Sequence, residues 1–274
     1  MLAYGFMQRA LLAAILVGVL CSALSFFVVL KRLSFLGAGI SHAALGGIAI
    51  GLVSGVNPVL TGSVFAVTAA MTTGYISKLG KVSEDTVIGI FYAFGMALGI
   101  ALIGTFQGYY PELFSLLFGN ILAVSKQDLQ LMAVVIGLIL LILVLFFKEL
   151  LAVCFDEEMV LAGGLPVSVL YMGLLAAIGL TVMISVQLVG VVLVAALIVI
   201  PGATGQRLCT NYRGMMLISL ATGLLGCTGG LVFSYYYPVP PGAAIVLIMT
   251  GLYTLSLAAR PLITRRRVEI RGET

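Results

Sequence analysis

Apolar runs of about twenty residues recur along the whole chain, and a helix of that length crosses a hydrocarbon core of about 30 Å. Backbone polar groups in lipid must be satisfied internally, which leaves helices or closed barrels. The alternating segments of about ten residues that a barrel requires are missing. Of the 274 residues, 62% are hydrophobic and 9% charged, more apolar surface than a water-soluble domain of this length needs. The fold class is therefore an all-α polytopic membrane protein. The 33 glycines fit helices that pack closely in lipid.

The spans are read at about 8–30, 33–54, 58–77, 86–106, 129–147, 167–187, 188–205, 213–236 and 243–260, about nine in all. The apolar run from Val167 to Ile200 is nearly continuous, so two spans, or one span and a re-entrant segment (eight spans), both fit it. Residues 1–262 form one transmembrane domain and 263–274 a basic cytoplasmic tail. The run Leu11–Leu30 is too long for the apolar region of a signal peptide and lacks a basic start.

Threading from an N-terminus outside puts Lys31, Arg32, Lys78, Lys81, Lys148, Arg207, Arg213, Arg260, Arg265, Arg266, Arg267 and Arg271 inside. Only Arg9 and Lys126 fall outside, so twelve of the fourteen basic residues share one side. That asymmetry predicts a cytoplasmic C-terminus. It also accounts for the net charge of +4 without an acidic partner, and nothing points to nucleic acid. The tail cluster can meet anionic membrane lipid, although a topology signal explains it as well. Outside, 109–126 is expected to include a short interfacial helix. Tyr235–Gly242 is a stiff aromatic loop, suited to the membrane interface or to a docking protein. Cys21, Cys154, Cys209 and Cys227 form no C-x-x-C pair and read as core or loop thiols.

His42 is the only histidine, and it falls near the middle of the second span. An ionisable side chain at that depth is costly, so it is a functional candidate; neutral imidazole is also a common metal ligand. Gly39, Ala43, Gly47, Gly51 and Gly55 recur every four residues and form a small-residue stripe for close helix packing. His42 lies about 100° round the axis from Ala43, at the border of that stripe. The residues at i−4 and i+4, Ala38 and Gly46, have no ligating side chain. A complete metal site needs more than one ligand, so a transient pathway contact fits better than a fixed site, and an interhelical hydrogen bond fits as well. Gly39-Ile40-Ser41-His42 superficially resembles an intramembrane serine-protease motif. Ser41 and His42 point about 100° apart on a helix, and no second histidine exists to act as base.

Asp156, Glu157 and Glu158 favour a helix N-terminus, Met159 to Ala162 continue that helix, and Gly163, Gly164 and Pro166 end it. The segment reads as a short amphipathic cytoplasmic helix, a connector or a lever against a partner. Ser83 caps the fourth span, with Glu84 and Asp85 in its first turn. Pro201 is expected to kink the seventh span, as a gate or simply as a break before Arg207.

Several segments in order resemble the membrane permease subunits of ABC importers for zinc, manganese and iron(II). They are Lys31–Gly37 leading into Ser41-His42-Ala43, then Glu84-Asp85-Thr86 with Gly89, Leu117–Val124, and Gly190–Pro201. The resemblance implies a homodimer, separate cytoplasmic ATP-binding subunits, and an extracellular or periplasmic metal-binding protein that delivers the ion. It implies a prokaryotic inner (plasma) membrane location and a transporter subunit in place of an enzyme. No cofactor is then bound by this chain: the divalent metal ion is cargo, and ATP sits on the partner. The chain has no G-x-x-x-x-G-K-[ST] phosphate loop, which agrees. Asp156–Gly164 resembles the coupling helix that enters a cleft in the ATPase, and His42 resembles the metal-path histidine. The family often carries aspartate four residues before that histidine; here the position is Ala38. Permeases for cobalamin, haem or metal–siderophore complexes are related alternatives. An ion-coupled secondary transporter would need intramembrane carboxylates, which this chain almost lacks.

Overall fold

The computed structural model describes residues 4–80, 82–105, 119 and 121–272, without the side chains of residues 188 and 259–272. The helices are α1 (Gly5–Leu30), α2 (Leu36–Ser54), α3 (Pro58–Gly80), α4 (Glu84–Thr105), α5 (Lys126–Leu145), α6 (Phe147–Phe155), α7 (Glu157–Ala162), α8 (Val167–Val189), α9 (Val191–Leu197), α10 (Ile200–Leu208), α11 (Tyr212–Tyr236) and α12 (Pro241–Gly272). A 3-10 turn occupies Ile121–Ala123. Among the described residues nine helical segments are long and apolar enough to cross a membrane.

Helix α1 is the hub. It packs on α5, α8, α10 and α11, and its side chains from Leu20 to Val28 are almost wholly buried. On one side α2 is gripped by α3 and α4; on the other, α10, α11 and α12 pack together. Exposed apolar side chains such as Leu131, Val134, Leu217 and Leu247 cover the outer faces of α5, α11 and α12. A water-soluble protein rarely tolerates so much exposed apolar surface, and lipid covers it at no cost.

The ambiguous run 167–200 resolves into two spans, Val167–Gln187 and Val191–Leu208. The break falls at Gly190, whose φ of +84° suits glycine. The second of these spans is itself interrupted. Pro201 has no N–H to give the carbonyl of Leu197, so α9 stops there, and Pro201 stands in the first turn of α10, where no N–H is needed. The expected kink is thus a full break between two short helices.

Lys31, Lys78, Glu84 and the α6–α7 connector gather at one end of the bundle, here termed the basic end. Arg9 lies at the opposite end and donates from Nε to the Val124 carbonyl at 2.9 Å. One of the two exceptions to the charge asymmetry therefore has a structural employment. The second, Lys126, opens α5, which Ser125 and Asp128 cap reciprocally. Most of the interfacial segment expected over 109–126 lies outside the described residues, as do Lys81, Leu117, Phe118 and Asn120. The side chains of Arg260, Arg265, Arg266, Arg267 and Arg271 also lie outside them.

Candidate functional site

His42 sits half-buried in the middle of α2. Its Nδ1 is 2.9 Å from the carbonyl of Ala38. A carbonyl only accepts, so Nδ1 carries the proton, and Nε2 keeps the lone pair that binds a metal or receives a proton. The Tyr92 ring of α4 lies 4.7 Å away, tilted by 49°. At the position where a carboxylate would sit one helical turn away, the backbone of Ala38 thus orients the ring. Ser41 donates to the same carbonyl at 3.0 Å, so it is no partner of the imidazole. Among the described residues no three His, Cys, Asp or Glu side chains gather where they could hold a metal ion.

The glycines of α2 explain how its neighbours come so close. A Cβ on Gly39 would lie 2.1 Å from the Ile88 side chain, and one on Gly46 would lie 2.8 Å from the Gly95 carbonyl oxygen, so α4 rides on this face. A Cβ on Gly47 would meet Phe65 at 2.4 Å, and one on Gly51 would meet Thr61 at 2.2 Å, so α3 covers the next. Gly55 is different. It has open space around it and a φ of +70°, and it ends the helix rather than packing it.

The second cluster lies at the basic end. Asp156 caps α7, its side chain accepting from the N–H groups of Glu158 and Met159 at 3.0 Å each. The helix closes through Gly163 as C-cap and Gly164 at φ +78°, with Leu165 N–H donating to the Val160 carbonyl and Gly164 N–H to that of Leu161. Met159 and Leu161 are 73% and 66% exposed, and Glu158, Ala162, Gly163 and Gly164 are exposed too. Val160 is buried, and Glu157 turns the same way, towards the bundle.

There Glu157 meets two lysines. Lys31 Nζ lies 2.5 Å from one carboxylate oxygen and Lys78 Nζ 3.2 Å from the other. Both ammonium groups also lie over the ring of Tyr171, at 5.5 and 4.6 Å from its centroid. The Tyr171 hydroxyl donates to Glu84. Burial raises the Glu157 carboxyl, but the hydrogen bonds and charges of Lys31 and Lys78 outweigh it and leave the group below the usual range. The Cys154 thiol is pushed up to about 11, by burial first, with Lys31 drawing it down and Glu157 raising it. It stays protonated at neutral pH and is therefore a poor metal ligand. Sequence reasoning treated Lys31 and Lys78 as topology signals and Glu84 as a first-turn residue. That acidic and basic groups crowd one end was visible in the charge pattern; which of them meet was not. Ser83 does cap α4, accepting from the Thr86 N–H at 3.3 Å. All four cysteines are free.

Residues 3–260 match the ABC 3 transport family. The chain belongs to that family. It is a membrane permease subunit of the ABC metal importers and a multi-pass protein of the prokaryotic inner membrane. This ABC 3 permease is 37% identical over 262 residues to the manganese transport system membrane protein MntC of Halalkalibacterium halodurans, covering 95% of the chain and 89% of that relative. It is 35% identical over 255 residues to the chelated iron transport system membrane protein YfeD of Yersinia pestis, covering 93% and 86%. Its fold matches PsaBC from Streptococcus pneumoniae, solved in complex with Fab, with a TM-score of 0.82 at 34% identity over 97% of this chain and 96% of that one.

Proposed function

We propose that two copies of this permease form the membrane pathway of an ATP-driven importer for a divalent transition metal, with manganese and iron the leading cargoes and zinc the third. The near full-length match to permeases named for manganese and chelated iron carries the reading. The basic end faces the cytoplasm, a reading that the distribution of lysine and arginine supports. An external binding protein delivers the ion at the opposite end, where Tyr236 and Tyr237 are 70% and 56% exposed. Separate ATP-binding subunits dock on α7 and cover Met159 and its exposed neighbours.

Transport then proceeds by alternating access. His42 offers Nε2 to the passing ion as a transient ligand, and a second copy supplies a second imidazole. Weak, sparse ligation suits a carrier, because an ion held by a full set of protein ligands would leave slowly. The break before Pro201 lets α9 and α10 change their mutual angle without stretching a continuous helix.

Reconstitution with the ATPase and the binding protein tests this reading. Uptake of manganese, iron(II) or zinc that depends on ATP is expected. Uptake that continues without ATP, or none of any of the three ions, sinks it.

A further inference from the structure

The ion pairs at the basic end join elements that are far apart in sequence. Lys31 lies in the turn between α1 and α2, Lys78 in the last turn of α3, Glu84 in the first turn of α4, and Tyr171 in the second turn of α8. Glu157 on α7 reaches both lysines, Tyr171 lies beneath them, and Glu84 holds Tyr171. Those two ion pairs are the ones found among the described side chains, and Glu157 makes both. The Lys31 side chain is 14% exposed, so its charge is poorly screened, whereas Lys78 and Glu157 are about one-third exposed, at 33% and 38%. The turn holding Lys31 is itself constrained. Arg32 adopts φ +60°, the single positive φ among the described non-glycine residues, and Leu33 is buried.

From this set we infer that Glu157 is the positioning residue that clamps α7 to the helices holding His42. The inference rests on the coupling role proposed for α7 and adds the route by which its motion travels. One face of α7 is free for a partner while Glu157 and Val160 face the bundle. A displacement of α7 pulls on the α1–α2 turn and the end of α3 through the two lysines. It reaches the start of α4 through Tyr171 and Glu84. Those are the ends of α2 and of the two helices that grip it. The glycine contacts at Gly39, Gly46, Gly47 and Gly51 leave no slack between α2, α3 and α4. The three therefore move with the clamp as a body, and His42 moves with them.

Two measurements test the clamp. In the permease alone, in nanodiscs, Glu157→Gln and the double variant Lys31→Met/Lys78→Met are each expected to speed hydrogen exchange over 157–165 and across the 31–36 turn. Exchange unchanged in both segments overturns the clamp, whatever the chain transports. In the reconstituted importer, manganese imported per ATP hydrolysed is expected to fall about fivefold or more for Glu157→Gln, the low end of a typical coupling energy. The triple variant Lys31→Met/Lys78→Met/Glu157→Gln is expected to fall no further, because one shared interaction is lost only once. A wild-type ratio in Glu157→Gln, or losses that add up in the triple variant, overturns the inference while the importer reading stands. A wild-type complex that imports no metal removes the importer reading, and the exchange result then decides the clamp by itself.

Discussion

At the scale of single residues, His42 and the glycines around it make opposite demands. His42 is tolerated in a span because the Ala38 carbonyl accepts a hydrogen bond from its Nδ1–H and Tyr92 covers one side of its ring. Replacing it with alanine should leave assembly intact, since only half-buried volume is lost. ATP-dependent uptake should fall about tenfold or more, the scale on which metal sites respond to altered ligation. Normal uptake by His42→Ala would make the side chain a packing residue. Gly46 has no such latitude. A methyl there meets the Gly95 carbonyl 2.8 Å away, and backbone cannot rotate aside as a side chain can. Gly46→Ala should cost about 2–3 kcal/mol by overpacking, visible as a lower melting midpoint of the purified protein. Gly55→Ala meets no neighbour and should cost about 1 kcal/mol from its left-handed backbone alone. Equal losses at the two positions would mean that the close approach of α2 and α4 is not what Gly46 serves.

At the scale of elements, α7 shows how six residues persist as a helix. A run this short does not hold itself together in water. It survives because Asp156 caps one end, Gly164 closes the other, and Glu157 ties the first turn to the bundle. Asp156→Ala should loosen it by about 1 kcal/mol, measured as faster exchange over 157–162. The pH response follows from Glu157. Its carboxyl lies below the usual range in the folded protein, so the tie is at full strength above the unfolded value, near 4.3, and is lost as pH falls through the lowered folded value. Docking of α7 should therefore hold from neutral pH down to about 5, and protease cleavage at Gly163-Gly164 should rise only in stronger acid. Cleavage that rises between pH 7 and 6 would contradict the ion pairs. The seventh span carries a related lesson. Pro201 was legible as an interruption, but the break at Gly190 was not, because the run from Val167 to Ile200 reads as nearly continuous.

At the scale of the whole molecule, the charge asymmetry predicts which end meets the cytoplasm. With the four native cysteines replaced, a cysteine at Tyr236 should react in intact cells with a membrane-impermeant maleimide, and one at Met159 should react only after the cells are opened. The reverse pattern would invert the topology and move α7 to the wrong side for an ATPase. Both positions are well exposed, 70% and 73%, so access alone does not separate them.

The class of the fold needed no coordinates, because hydrocarbon thickness sets a length that apolar runs either reach or miss. The spans emerged in number and order for the same reason. The small-residue face of α2, the acidic helix start at Asp156–Glu158 and the stop at Gly163-Gly164 were also legible, since their causes act within one or two helical turns. The resemblance to metal permeases was carried by motifs in linear order. What only the tertiary structure decided are relations between distant parts: that Gly55 ends α2 while Gly51 packs it, that Arg9 holds Val124, and that Lys31 and Lys78 share Glu157 above Tyr171. Charge pattern places such groups at the same end of a membrane protein, because each must reach water. Which of them touch is settled by how the spans pack, and packing depends on side chains far apart in the chain.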